Sequence, residues 1–206
     1  MFTLALSMIL VVLLVPYPVN AQQAEAPVYK DGDWWRVKVD LSRPAGVSVA
    51  PGLEQFPEYI VKFDAGKPIV LGIRGSESKQ IAGALVLAMV LGRGEFRGDL
   101  LRFPMRLGLT WSGRVNFQPP GMQMRWTETQ YEVQTWEKLK TAKGEFDAFR
   151  LEMNMIVPRG PKRQGPTEFR PHTYFYAPEI KAIVSYQEVG SDIKVTSTLV
   201  DFNLAQ

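Results

Sequence analysis

Apolar and polar residues alternate through most of this 206-residue chain, between stretches that are rich in glycine and proline. In "DWWRVKVDL" every second residue from Trp35 to Leu41 is apolar, and the residues between them are charged. A period of two is the signature of a strand with one buried face and one solvated face. Such strands become stable only when they share a core, so the pattern predicts a sheet built around one hydrophobic interior.

Hairpins are expected to connect these strands. "EYIVKFDAGKPIVLGIRG" predicts two strands joined by a turn at Gly66, where glycine permits a positive φ. The residues predicted to be buried in this hairpin are Tyr59, Val61, Phe63, Ile69, Leu71 and Ile73.

One stretch, "QIAGALVLAMVLGRG" (Gln80–Gly94), is apolar almost throughout. Its length and the glycine at Gly92 favour a short buried helix over a strand. The chain also contains roughly nine predicted strands, mostly connected by hairpins. Together these features predict a mainly β fold, either an antiparallel barrel or a strongly curved half-barrel sheet, with one short helix.

The first residues precede the domain. "FTLALSMILVVLLV" (Phe2–Val15) is apolar and uncharged, and "VNA" ends at Ala21 with residues that a signal peptidase reads. The run is shorter than the roughly 20 residues of a membrane-spanning helix. We therefore expect a signal peptide at 1–21, a flexible lead-in at 22–32 and a single β-rich domain at 33–206. The protein is expected to be periplasmic or secreted, with no transmembrane span in the mature chain.

The composition excludes several kinds of site. The chain has no cysteine and one histidine, so it lacks a disulfide, a thiol nucleophile, a zinc–thiolate site and a lipid-modified cysteine. The net charge of +3 is mild, and acids and bases alternate along the chain. Nucleic-acid binding is therefore not indicated. We expect no cofactor and no metal.

The histidine, His172, lies in "FRPHTYFYAPEIKAIVSY". It follows Pro171 and precedes alternating aromatic residues, which predicts a position at the start of a strand, near the rim of the sheet. No serine lies in a G-x-S-x-G turn, although a serine and an acid could still meet His172 in space. We interpret His172 as a strand residue and not as a catalytic one.

Glu128 and Glu132 lie on one face of the predicted strand "WTETQYEVQTW". Four residues of extended chain separate them by about 13 Å, whereas the carboxyl groups of glycosidases are roughly 5–9.5 Å apart. The pair is therefore expected on a solvated face. An alternative function, an envelope-acting hydrolase, would use carboxylates such as Glu128, Glu132 or Asp147.

Strict alternation on the same strand places Trp126 and Trp136 on the face of these two glutamates. A polar face with a tryptophan near each end could line a cavity for an amphipathic ligand. The interpretation that we prefer is that this polar face is solvated.

The segment "RGPKRQGPTEFR" predicts a loop stiffened by proline. A basic loop on an exported protein could contact a membrane surface with anionic headgroups, or an acidic partner, although most such loops are simply solvated. Its basic residues are Arg159, Lys162, Arg163 and Arg170.

Three segments, Pro104–Trp111, Gly144–Leu151 and Phe175–Val184, resemble motifs of a family of exported, β-rich bacterial proteins of unknown function. Their patterns are of the type P-L-x-x-G-x-x-W, G-x-F-x-A-F/Y-x-I and W/F-Y-A/S-P-E-x-x-x-x-V. The resemblance spans residues 100–204. It implies an architecture similar to lipoprotein carriers and lipocalin-like half-barrels, and it implies no catalytic residues.

The resulting expectation is a non-catalytic exported protein that binds an apolar or amphipathic ligand, such as a lipid, or a protein of the cell envelope. Another alternative is a structural or assembly protein that uses the basic loop and the Gln80–Gly94 segment as contact surfaces. The residues predicted to line a ligand cavity are Trp111, Trp126, Tyr131, Phe149, Met153, Met155, Tyr174 and Tyr176.

Overall fold

The computed structural model describes residues 22–42, 56–92, 100–117, 125–157, 168–189 and 194–206. The predicted signal peptide and the basic residues Arg159, Lys162 and Arg163 lie outside these ranges. The described part of the chain is mainly strand with one α-helix, as the sequence predicts.

The elements follow one another in a simple order. The strands are β1 (Gln23–Ala24), β2 (Trp34–Ser42), β3 (Glu58–Asp64), β4 (Lys67–Arg74), β5 (Glu77–Ile81), β6 (Met105–Arg106), β7 (Thr110–Phe117), β8 (Arg125–Thr141), β9 (Gly144–Val157), β10 (Glu168–Ala177), β11 (Ala182–Val189) and β12 (Lys194–Asn203). The α-helix, α1, is Ala84–Leu91, and a 3-10 turn at Pro178–Ile180 connects β10 to β11.

Ten strands form one antiparallel sheet in the order β5-β4-β3-β2-β12-β11-β10-β9-β8-β7. The sheet consists of two meanders, β2 to β5 and β7 to β12, which join where β2 pairs with β12. β1 pairs separately with β6. The large sheet ends at β5 and β7 without closing. Of the two predicted forms, the curved half-barrel is therefore correct and the closed barrel is wrong.

The helix α1 occupies the inside of this curve. It contacts β11 from one meander and β3 and β4 from the other. Its residues are apolar on every side, as expected for a helix that is buried all round, and Val86, Met89 and Val90 are almost fully buried. It ends at Gly92, which is left-handed at φ 65° and whose N–H donates to the carbonyl of Ala88. The predicted buried helix is confirmed, and the apolar contact surface that the assembly hypothesis assigns to this segment is largely covered by the sheet.

Strand faces follow the predicted alternation where the strands are regular. On β2, Trp35, Val37 and Val39 are buried and the residues between them are not. β9 likewise buries Leu151 and Met153. The inner faces of the two meanders form a single hydrophobic cluster.

The prediction is wrong for β4. Val70 is buried, whereas Ile69, Leu71 and Ile73 are only half-buried. The reason is the hairpin register, which pairs buried Val61 with Val70 and buried Tyr59 with Gly72 and so places Val70 and Gly72 on the inner face. A Cβ built on Gly72 would lie 2.3 Å from a ring carbon of Phe56. Because Gly72 has no side chain, the ring of Phe56, from the segment before β3, packs directly on the inner face of β4.

A β-bulge between Val133 and Thr135 interrupts β8. Beyond it, Trp136 pairs with buried Phe149, and the two ring centroids are 4.4 Å apart. The bulge moves Trp136 to the inner face, because one extra residue reverses the side on which every following side chain lies. The prediction that Trp136 shares the face of Glu132 is therefore wrong.

Asp33 holds three distant segments together. Its buried carboxylate accepts hydrogen bonds from the N–H of Lys30 at 2.9 Å and of Ala205 at 2.8 Å. Nζ of Lys181 donates to it at 3.3 Å. Burial raises the pKa of the Asp33 carboxyl, but these three donors outweigh burial and hold its pKa below the usual range. One carboxylate thus connects the lead-in, the C-terminus and the β10–β11 connection.

The lead-in makes specific contacts along its length. Ala24 in β1 is buried, and the ring of Tyr29 stacks on Phe63 with centroids 4.7 Å apart. The Tyr29 hydroxyl donates to the carbonyl of Lys181 at 3.1 Å. Residues 22–32, predicted to be a flexible lead-in, therefore cover one end of the core in the structure.

The turn between β3 and β4 contains an alanine in a costly conformation. Ala65 has φ 50° and Gly66 has φ 72°, the combination of a type I′ turn, which favours asparagine at the first position. We expect Ala65→Asn to raise the free energy of unfolding by about 0.5–1 kcal/mol, measured by urea denaturation. Ala142 lies in the β8–β9 turn without a positive φ, so Ala142→Asn is the control. An equal gain in unfolding free energy for both variants would contradict the positive φ of Ala65 as the cause.

Candidate functional site

The structure brings most of the predicted cavity-lining residues together on the inner face. Backbone pairing aligns Trp111 with Tyr131, Tyr131 with Met153, and Met153 with His172. The predicted residues that are buried there are Trp111, Tyr131, Phe149, Met153, Tyr174 and Tyr176. The backbones of Trp126 and Met155 belong to β8 and β9, and their side chains lie outside the described part.

These side chains pack closely on one another. Trp111 stacks on Tyr131 with ring centroids 5.0 Å apart. Tyr176 contacts Phe103 edge-on at 5.6 Å, and Tyr174 contacts Tyr186 at 4.8 Å. None of these residues lines the pocket at the end of α1 or the pocket at the β5 edge. In this conformation the described residues of the predicted lining fill the core.

His172 lies inside this core, in a cluster of three titratable side chains. It is fully buried, and its Nδ1 lies 3.0 Å from the Tyr186 hydroxyl. That hydroxyl donates to Oε2 of Glu188 at 2.6 Å. Because the single phenolic proton points to Glu188, the hydrogen bond from His172 requires a proton on Nδ1. The cluster is a chain of hydrogen bonds from imidazole to phenol to carboxylate.

The sequence places His172 at a strand start near the rim, but β10 begins earlier, at Glu168. Its partners were not predicted. Glu188 is the cross-strand neighbour of His172, and Tyr186 precedes Glu188 by two residues on β11. The signal that could have identified them is the i, i+2 spacing of Tyr186 and Glu188. A bulge at Phe175/Tyr176 shifts the register of this hairpin, so spacing alone does not pair them with His172.

This cluster lacks the arrangement of a serine hydrolase. Nδ1 of His172 is 3.7 Å from the nearer Glu188 oxygen, beyond hydrogen-bonding distance. The geometry places a tyrosine hydroxyl between the acid and the imidazole, and buries the imidazole away from solvent. We interpret the cluster as polar packing within the core.

The carboxylates of the hydrolase alternative are spread over the surface. Glu128 and Glu132 are exposed on β8, opposite Arg114 and Thr110 on β7. Asp147 forms an ion pair with Lys138 at 3.2 Å. None of the three carboxylates lines either described pocket. The expected solvated position of the Glu128–Glu132 face is confirmed.

The basic loop is shorter than the sequence suggests. Arg170, which the sequence assigns to that loop, lies in β10 and pairs with Met155 of β9. The prediction for Arg170 is therefore wrong. β10 already pairs with β9 at Arg170 and Pro171, whereas its pairing with β11 begins only at His172.

A pocket of about 290 Å³ lies where the lead-in crosses the end of α1, and its surface is shared between apolar side chains and polar atoms of the backbone and of Tyr29. Gly92 contributes to its wall, and a Cβ there would lie 2.4 Å from Cγ of Leu101. The residues that line it are Ala26, Pro27, Tyr29, Leu91, Gly92, Leu101 and Phe103. We call it the lead-in pocket. None of its side chains carries a charge.

A larger pocket, of about 580 Å³, lies at the β5 edge of the sheet and is lined by Phe56, Arg74, Glu77, Ser78 and Lys79. We call it the edge pocket. Its lining is mostly charged, in contrast to the lead-in pocket.

The described ranges contain no helix that is both long and apolar enough to cross a membrane. They also contain no group of three or more acidic or histidine side chains that could hold a metal ion.

No protein-family model and no curated protein matches this chain. Solved structures that resemble it distantly include the following three. The hypothetical lipoprotein YmcC of Escherichia coli K12 is 9% identical, with a TM-score of 0.40 over 82% of this chain and 84% of its own. A predicted exported protein of Bacteroides fragilis with a YmcC-like fold is 14% identical, with a TM-score of 0.37 over 87% and 99%. A predicted lipoprotein of Parabacteroides distasonis is 10% identical, with a TM-score of 0.38 over 88% and 100%. These scores describe a distant likeness, and the function proposed below rests on this chain's own residues.

Proposed function

We propose that this protein is an exported, non-catalytic binding protein that holds an apolar chain of an amphipathic ligand in the lead-in pocket. The observation that carries this proposal is the lining of that pocket, whose side chains are uncharged and, apart from the Tyr29 hydroxyl, apolar, and which lies between the end of α1 and the lead-in.

Export is supported by the sequence. The apolar run at Phe2–Val15 and the small residue Ala21 have the pattern of a secretory signal. The mature chain would then begin near Gln22, immediately before β1. The lead-in that covers the pocket would therefore be the first segment of the mature protein.

A non-catalytic role is supported by the positions of the reactive groups. The sequence has no cysteine and one histidine, and that histidine is buried beside Tyr186. An active site needs several groups in complementary roles around an accessible cleft. The lead-in pocket contains no ionisable group apart from the phenol of Tyr29.

The volume and lining of the pocket limit the size and the polarity of the ligand that it can hold. A volume of about 290 Å³ is at the small end for ligand pockets. At the roughly 30 Å³ that a water molecule takes in the liquid, it has room for about ten non-hydrogen atoms. Ala26 is exposed, so the pocket opens to solvent beside it. A single acyl chain with its polar head at the mouth fits this arrangement.

Decanoate is a suitable probe of this pocket. We expect it to shift the methyl NMR signals of Leu91 and Leu101 in a saturable way, because both side chains line the pocket. Ala26→Trp should fill the mouth and weaken binding at least about tenfold, which corresponds to about 1.4 kcal/mol. Ala142→Trp adds the same side chain at an exposed turn far along the chain and should leave binding unchanged.

Acetate separates binding of the chain from binding of the carboxylate, and we expect it to cause no shift at the same concentration. Equal binding of decanoate by the Ala26→Trp and Ala142→Trp variants would remove the lead-in pocket as the site. Equal shifts with acetate would show that the carboxylate, not the chain, is recognised.

A further inference from the structure

β5 forms one end of the ten-stranded sheet, and no other strand in the described ranges pairs with its outer edge. A two-residue turn joins it to β4, with Gly75 at φ 61° and the pair Arg74–Glu77 on either side. In a hairpin of this length the flanking pair exchanges backbone hydrogen bonds, and the following pairs alternate. Ser78 and Gln80 therefore direct their N–H and C=O groups away from β4, toward the open edge.

The edge pocket adjoins this strand. Pairing places Arg74 and Glu77 opposite each other and Gly72 opposite Lys79, so the side chains of these residues share one face of the sheet. Phe56 lies over that face at Gly72, and the Arg74 guanidinium carbon is 5.8 Å from the centre of its ring. An open backbone edge and a pocket with an aromatic floor therefore lie side by side.

We propose that the β5 edge binds an extended, acidic segment of a partner protein as an additional strand, with an apolar side chain seated over Phe56. In strand addition, backbone hydrogen bonds supply affinity and pockets for alternate side chains supply specificity. Ser78 and Gln80 provide the backbone groups, and the edge pocket provides the place for a side chain. This interaction goes beyond the binding of an apolar chain and does not rest on it.

The charges at the edge favour an acidic segment. Among the residues that line the edge pocket, Arg74 and Lys79 are basic and Glu77 is acidic. In the described part of the chain no ion pair is formed by Glu77 or Lys79. Charged side chains on an edge strand also discourage pairing with unselected strands. We therefore expect the β5 edge to favour acidic segments over basic ones.

A second copy of this chain fits the edge less well. β5 has five residues, and pairing through so short an edge would bury far less than the roughly 1,000 Å² that a stable interface needs. A flexible peptide segment, in contrast, can add side-chain contacts in the pocket to its backbone hydrogen bonds.

The test uses the full mature chain and a labelled, end-capped heptapeptide, Thr-Glu-Thr-Phe-Thr-Glu-Thr, followed by fluorescence anisotropy. We expect saturable binding, and we expect the peptide with both Glu replaced by Lys to bind at least about tenfold more weakly, a difference of about 1.4 kcal/mol. Saturable binding of the acidic peptide at submillimolar concentration supports the proposal. No saturable binding, or equal binding of the two peptides, overturns it.

Two substitutions at Ser78 give a matched test of the backbone edge. Ser78→Pro removes an N–H that points away from β4, a position where an edge strand accepts proline, whereas Ser78→Ala keeps it. We expect the proline variant to lose at least about tenfold in affinity and the alanine variant to bind as the wild type does. Circular dichroism establishes that both are folded. Lys79→Glu leaves the backbone unchanged, and we expect it to reverse the preference between the acidic and basic peptides.

Equal affinity of the folded Ser78→Pro and Ser78→Ala variants overturns the proposal. Sedimentation analysis shows whether the protein forms a dimer through this edge. A dimer that Ser78→Pro dissociates would assign the edge to a second copy of this chain and would also overturn the proposal.

Discussion

Asp33→Ala is expected to lower the free energy of unfolding by about 2–4 kcal/mol, because it removes a fully buried carboxylate that accepts hydrogen bonds from two backbone N–H groups and from the partly exposed ammonium group of Lys181. Lys181, Lys30 and Ala205 all donate to this carboxylate. A domain is usually stable by only about 5–15 kcal/mol, so the loss is a large share of the total. Urea denaturation followed by tryptophan fluorescence measures it.

Asp40→Asn is the control at an exposed carboxylate. Asp40 is exposed and forms an ion pair with Lys38 at 2.9 Å, and exposed pairs contribute about 0–1 kcal/mol. If Asp33→Ala and Asp40→Asn cost the same, Asp33 does not hold the lead-in to the C-terminus as described.

The same carboxylate predicts how stability depends on pH. Because the pKa of Asp33 is lower in the folded protein than its ordinary value of 3.8, the ionised carboxylate stabilises the fold fully above pH 3.8. This contribution is lost as the pH falls from there through the folded pKa. The wild type should therefore lose stability on acidification in this range more steeply than Asp33→Asn, which has no proton to bind. Parallel curves of unfolding free energy against pH would contradict the lowered pKa.

Trp35→Ala is expected to cost about 3–5 kcal/mol, as large-to-small changes of buried aromatic residues do. Trp35 is fully buried, and its indole N–H donates to the carbonyl of Ile180 at 2.7 Å. The side chain thus fills the core below the lead-in and also holds the β10–β11 connection. Urea denaturation again gives the change in unfolding free energy.

Neighbouring Trp34 provides an internal control of the same residue type. It lies on the opposite face of β2 and is only half-buried, so Trp34→Ala should cost about 1 kcal/mol. Trp35→Phe keeps an aromatic ring but removes the donor to Ile180, and it should cost about 1–3 kcal/mol. A cost for Trp34→Ala as large as that for Trp35→Ala would mean that the core lies on both faces of β2.

Local patterns predicted the parts of the fold that depend on local chemistry. The buried faces of β2 and β9 follow from alternation, and the end of α1 follows from Gly92. The failures arise from the way in which strands pair. The register of the β3–β4 hairpin places Val70, and not Ile69 or Leu71, on the inner face, and the bulge at Val133/Thr135 reverses the side of Trp136.

The candidate sites were harder to predict for the same reason. Both pockets combine residues that are far apart in the chain, such as Pro27 with Leu101 and Phe56 with Lys79. The partners of His172 depend on the register of a hairpin that contains a bulge. Alternation predicts which side of a strand is buried, but it does not predict which residues of different strands meet or where a gap remains between them.

The most direct test of the proposed function is native mass spectrometry of the delipidated mature protein after exposure to a total lipid extract of a bacterial envelope. We predict one bound amphipathic molecule per chain in the wild type and in Ala142→Trp, and loss of that mass in Ala26→Trp. A wild type that carries no bound mass, or an Ala26→Trp variant that retains it, would contradict binding in the lead-in pocket.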